Sequence, residues 1–89
     1  MRQIQITIVN RLGLHARASA KFVTLAAGFQ SDITLARKTQ QVNGKSIMGV
    51  MMLAAGKGTQ LELTANGRDE DIAVEKLVAL VQDRFGEAE

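Results

Sequence analysis

The 89 residues, 9.6 kDa, leave room for one hydrophobic core, so residues 1–89 read as a single domain; zero cysteines exclude a disulfide scaffold and thiolate metal sites, and one histidine excludes a His-rich metal site, so no metal or cofactor is expected. With 46% apolar and 22% charged residues the chain is ordinarily globular. No apolar run reaches the ~20 residues that cross a bilayer. The start, Met1-Arg2-Gln3-Ile4-Gln5, lacks the apolar region of a signal peptide, so a cytoplasmic protein with no membrane insertion is expected. The net charge of +2 hides a strong asymmetry. Residues 1–60 carry eight basic side chains and one acid, Asp32, whereas residues 61–89 carry three bases and eight acids. A basic two-thirds with an acidic tail points to a ligand or partner of negative charge. Nucleic acid fits poorly: there are three Phe and no Tyr or Trp to stack on bases.

Ile4, Ile6 and Ile8 alternate with polar residues, which predicts a half-buried strand over 3–9. Asn10 to Leu14 reads as a loop. Strong helix formers run from Ala16 to Ala27, with Phe22, Leu25, Ala26 and Phe29 at helical spacing, and Gly28 is placed to end the helix in a left-handed cap. Ile33 and Leu35 mark a second strand, Lys38-Thr39 a turn, and residues 40–43 a short third strand that Asn43-Gly44 breaks. Ser46 is positioned to cap a short helix from Ile47 to Ala54 that Gly56 ends. Thr59 to Ala65 is a fourth strand with Leu61 and Leu63 inward. Asp69 is placed to cap a last helix, with Glu70 and Asp71 in its first turn and Val74, Leu77, Val78 and Val81 as its buried stripe, before Phe85-Gly86 ends it.

The order is β-α-β-β-α-β-α. Strands with one apolar and one polar face favour an antiparallel sheet with one face toward water, and the helices must then share the apolar face. The expected fold is an α+β open-faced two-layer sandwich: a four-stranded antiparallel sheet with three helices on one face.

Chemistry concentrates in GLHARASA, Gly13 to Ala20, where the single histidine, His15, precedes a helix starting at Ala16. A helix start leaves its first backbone N–H groups, those of Ala16, Arg17 and Ala18, as donors and carries partial positive charge. Such a position disfavours an imidazolium, favours a neutral, nucleophilic ring, and welcomes an anion. Arg17 adds a guanidinium that can bridge phosphoryl oxygens. The set fits transient histidine phosphorylation. The plainer alternative is a capping histidine beside a solvated arginine. No Asp or Glu lies near His15 in sequence, and no nucleophile-elbow or phosphate-loop pattern occurs. Ile47, Met48, Met51 and Met52 crowd a helix too short to bury them all, which leaves adaptable contact surface.

GLHARASAKF, from Gly13, resembles the active-site signature of the HPr family, the histidine-containing phosphocarriers of the bacterial phosphotransferase system. NGKSIMGVMMLAAGKG, residues 43–58, resembles that family's regulatory serine segment. The resemblance spans essentially the whole chain and implies the same open-faced sandwich. It implies a carrier and not an enzyme: His15 accepts a phosphoryl group on Nδ1 from phosphoenolpyruvate-charged Enzyme I and passes it to the A components of sugar permeases, with Arg17 steadying the phosphate. It also implies phosphorylation of Ser46 by an HPr kinase/phosphorylase, and partner docking through Ile47, Met48 and Met51. A monomer is expected. The alternative is a regulatory adaptor of a nitrogen-related phosphotransferase branch, signalling through Ser46. One departure stands out: the family pattern HARPA is HARAS here, with Ala18 in the proline slot. Proline pre-sets φ in a first turn, so alanine implies a looser turn and puts the transfer rate in question.

Overall fold

Apolar residues recurring every second position build three of the four strands, the short strand over 40–43 carries only Val42, and three helices join or follow them. A computed structural model describes residues 1–89: β1 (Arg2–Thr7), α1 (Ala16–Ala27), β2 (Asp32–Arg37), β3 (Gln40–Asn43), α2 (Ile47–Met52), β4 (Gln60–Asn66) and α3 (Glu70–Gln82), then a 3-10 turn, Arg84–Gly86. The sheet order is β1-β4-β2-β3 and every pairing is antiparallel. Leu63 of β4 faces Ile4 on one side and Leu35 on the other, so the strands' apolar residues fall in register on one face. The open face carries Gln3, Gln5, Gln60 and Glu62, with Gln5 donating to the Gln60 side-chain oxygen at 3.0 Å.

The helices cover the other face. Ile6, Ile33, Leu35, Leu61, Leu63 and Ala65 from the sheet pack against Ala18, Phe22 and Ala26 of α1, Val50 of α2, and Ala73, Val74, Leu77 and Val81 of α3. Phe22 and Phe85 are the largest fully buried side chains, each stabilising the fold by roughly 1.5–3 kcal/mol relative to exposure. Phe85 therefore ties the C-terminal turn into the core. β2 and β3 join through a two-residue turn in which Lys38 adopts φ 55°.

Several expectations need correction. The ladder outlasts β1: Ile8 donates to Thr59 O and accepts from Gly58 N, at 2.9 and 2.7 Å. Ile4 points to the core side but is exposed, because β1 is an edge strand. Gly28 is right-handed (φ −76°), and its N–H bonds back to Leu25 O at 3.1 Å, so α1 ends by tightening. α2 ends at Met52 and not near Gly56; Ala54, at φ 51°, makes the left-handed bend where glycine is usual. Ala73 is fully buried in α3 and Val78 only partly. Asp69 precedes α3, but its side chain does not cap it. Its carboxylate instead accepts from Gln30 N and Ser31 N, at 2.8 and 2.9 Å, and from the Ser31 hydroxyl. The Ser31 hydroxyl first, then the Gln30 amide, hold the Asp69 carboxyl below its ordinary pKa of 3.8. Asp69 thus clasps the connection between α1 and β2 to the start of α3.

Candidate functional site

The loop before α1 is fixed by backbone packing. Gly13 has φ +68°, and a Cβ there would lie 2.4 Å from Ala55 O and 2.7 Å from Gly56 Cα. Only glycine lets the two strands of loop close this tightly. Leu14 then donates its N–H to Ala55 O at 2.8 Å and buries its side chain, and the Ser19 hydroxyl donates back to Leu14 O at 3.0 Å. With Gly13 and Leu14 pinned, His15 occupies the N-cap position in an extended conformation (φ −72°, ψ 179°), and its carbonyl accepts the Ser19 N–H at 2.8 Å.

The imidazole makes no capping bond. The start of α1 therefore keeps its donors, and the ring projects beside them with 30% of its side chain exposed. His15, Arg17, Arg11, Leu12 and Glu87 line one open cleft. Ala16 and Arg17 are exposed; Ala18 is fully buried in the core. Of the three amides expected to meet an anion, those of Ala16 and Arg17 belong to exposed residues, and that of Ala18 to a residue packed in the core. A methyl group in the proline slot still fills core space. Arg17 has no carboxylate partner within 4.0 Å, which leaves its guanidinium available to an incoming anion.

The surroundings differ from the sequence reading in one respect. No acid is near His15 in sequence, yet the fold brings one: Glu87 Oε2 lies 2.5 Å from His15 Nε2. The other Glu87 oxygen accepts from Asn10 Nδ2 at 3.0 Å. The Asn10 bond, then the His15 bond, hold the Glu87 carboxyl below its ordinary 4.5. Glu89 pairs with Arg11 at 2.8 Å. The surface around His15 is therefore a mixed one, with tail acids among the bases. The charge asymmetry was the available signal: the remaining ion pairs, Met1 amino group to Glu70 and Arg2 to Asp71, also join the basic N-terminal part to the acidic C-terminal part.

Ser46 caps α2. Its hydroxyl oxygen accepts the Gly49 N–H at 3.1 Å, while Lys45 Nζ donates to Phe29 O at 2.7 Å. α2 buries Val50 and leaves Ile47, Met48, Met51 and Met52 exposed, Met48 by 73%. This is an apolar surface on a short, well-anchored helix. No group of three or more His, Cys, Asp or Glu side chains is arranged to hold a metal ion, and no helix is long and apolar enough to cross a membrane.

A part-exposed histidine beside a helix start that no side chain caps, on an open-faced sandwich, fits the class of phosphoryl-accepting domains. Comparison with known proteins narrows the class. Residues 2–83 match the family described as "PTS HPr component phosphorylation site". The chain is 54% identical to the phosphocarrier protein HPr of Cupriavidus necator over 89 residues, all of both proteins. It superimposes on the crystal structure of HPr-C-His from Thermoanaerobacter tengcongensis with a TM-score of 0.96 and 43% identity over all of both chains. An HPr dimer from the same organism matches with a TM-score of 0.79 and 44% identity, covering 98% of this chain and 100% of that one. The chain belongs to the HPr family, the phosphocarriers of the bacterial phosphotransferase system. Its members are carriers that work through phosphotransfer partners and not enzymes with turnover of their own, and the carrier reading is favoured over the regulatory adaptor.

Proposed function

We infer that His15 is the phosphoryl acceptor. Nδ1 takes the group from phosphoenolpyruvate-charged Enzyme I and yields it to the A components of sugar permeases, in the cytoplasm and as a monomer. The Ala16 and Arg17 amides and the Arg17 guanidinium hold the phosphoryl oxygens. The observation that carries this reading is the α1 start left without a side-chain cap, beside a part-exposed imidazole. Ile47, Met48 and Met51 form the apolar part of the docking surface, which suits contact with several partners in turn.

Ser46 is the regulatory site of this reading, phosphorylated by an HPr kinase/phosphorylase. A phosphate at the start of a helix is tolerated by its dipole, so the fold persists while roughly two negative charges are added to the docking side. Ser46→Asp should slow phosphorylation by Enzyme I by about tenfold through lost electrostatic steering, with unchanged circular dichroism.

Incubation with Enzyme I and labelled phosphoenolpyruvate tests the assignment. Acid-labile label on the wild type and none on His15→Ala is the expected result. Full acid-labile labelling of His15→Ala would overturn it.

A further inference from the structure

The tail after α3 is built to deliver one carboxylate to one ring nitrogen. Phe85 is fully buried, and its carbonyl accepts from Lys21 Nζ at 2.7 Å. Arg84 and Phe85 both adopt left-handed φ, 57° and 54°, which non-glycine residues hold only when their surroundings enforce it. Beyond the turn, Glu89 O accepts the Arg11 N–H at 2.9 Å, and the Glu89 side chain pairs with Arg11. Glu87 is thus anchored on both sides. Its side chain is 15% exposed and lies at the His15 ring.

Asn10 completes the arrangement. It is fully buried, and its Nδ2 donates both to Gly13 O at 2.8 Å and to Glu87 at 3.0 Å. Its Oδ1 has no partner. Reversing the amide would turn Oδ1 onto the Glu87 carboxylate, so the buried, unpaired oxygen is the cost of aiming a donor at that acid. The same Asn10 holds the Gly13 loop that carries His15. One buried amide therefore sets the distance between acid and ring.

We propose that Glu87 is a positioning residue for phosphoryl acceptance: it takes the Nε2–H of His15 as a hydrogen bond and so leaves the Nδ1 lone pair as the nucleophile. An ionised carboxylate can only accept, so Nε2 must carry the proton. When Nδ1 attacks, the new P–N bond forms as the bond between phosphorus and the donor's leaving atom breaks, and that atom keeps the electron pair. The proton stays on Nε2. The ring becomes cationic, and Glu87 balances that charge. On leaving, the phosphoryl group returns the electron pair to Nδ1, and the same neutral tautomer is restored for the next cycle.

This inference rests on His15 as acceptor, and the tests separate the two. In the wild type, ring nitrogen NMR at a pH where the imidazole is neutral should show the proton on Nε2; a ring protonated mainly on Nδ1 would overturn the inference without any variant. Glu87→Gln, which keeps the shape and removes the charge, should shift the ring toward a tautomer mixture. It should also lower the limiting rate of phosphorylation by Enzyme I about tenfold, the scale of effect of a carboxylate orienting a histidine, with KM for Enzyme I unchanged. Glu87→Asp should recover part of the rate. An unchanged tautomer and rate in Glu87→Gln would leave Glu87 a purely structural residue. Wild-type protein labelled somewhere other than His15 would instead sink the acceptor assignment.

Discussion

The starts of α1 and α2 present the same backbone feature and use it differently. At α2, Ser46 turns its hydroxyl inward and accepts the Gly49 N–H, so the helix end is satisfied by its own chain. At α1, His15 occupies the equivalent position without capping anything, and Ala16 and Arg17 stand exposed behind it. A cap of the Ser46 kind stabilises a helix by about 1 kcal/mol. α1 forgoes that stabilisation, and in the proposed function its open start receives the anion beside the His15 nucleophile. The difference teaches that two helix starts of like backbone part at the N-cap side chain: Ser46 closes one, and His15 leaves the other open.

The largest expected effect comes from erasing the difference. His15→Ser gives α1 the cap that α2 has. Phosphorylation by Enzyme I should fall to background while the urea midpoint stays at or above that of the wild type; a clear loss of stability would show that His15 is a structural residue. Next is Gly13→Ala, which forces a Cβ against Ala55 O in a left-handed conformation. Steric strain and the unfavourable φ should together cost about 3 kcal/mol in denaturant titrations, and the folded fraction should accept phosphate slowly because His15 is displaced. A Gly13→Ala variant as stable and active as wild type would mean that the loop is not pinned as described.

Ser46→Ala should cost about 1 kcal/mol and leave acceptance by His15 unaffected. Reduced labelling in this variant would mean that the two helix ends are coupled. The smallest effect concerns α3. Asp69, Glu70 and Glu87 all have carboxyl groups held below their ordinary values. A depressed folded pKa contributes stability that is fully present above the ordinary value and is lost as pH falls through the folded one. Stability should therefore hold from neutrality down to about pH 5 and fall below about pH 4. In Asp69→Asn part of that fall should vanish. An identical acid profile would remove Asp69 as the clasp between the α1–β2 connection and α3.

Much of this was legible in the chain because period-two and helical patterns report which face is buried, and the four-strand, three-helix order follows from them. His15 and Ser46 stood out for the same reason: each lies at a helix start that the local pattern marks. What the sequence hid is long-range or conformational. Glu87 lies 72 positions from His15, and no local pattern links them. The destination of the Asp69 carboxylate depends on where Gln30 and Ser31, in the connection from α1 to β2, arrive. Gly28 and Ala54 exchange expected roles because backbone strain at a helix end is settled by packing around it, and an alanine can be held left-handed where its neighbours enforce it. The burial of Ala18 is likewise a property of the packed core.

Amide NMR of the protein before and after phosphorylation by Enzyme I tests the α1 site most directly. The account predicts that the Ala16 and Arg17 N–H resonances move downfield more than any others as they bond the phosphoryl oxygens, with the Gly49 N–H at the α2 cap unmoved. Ala16 and Arg17 amides that stay in place on a phosphorylated His15 would contradict it.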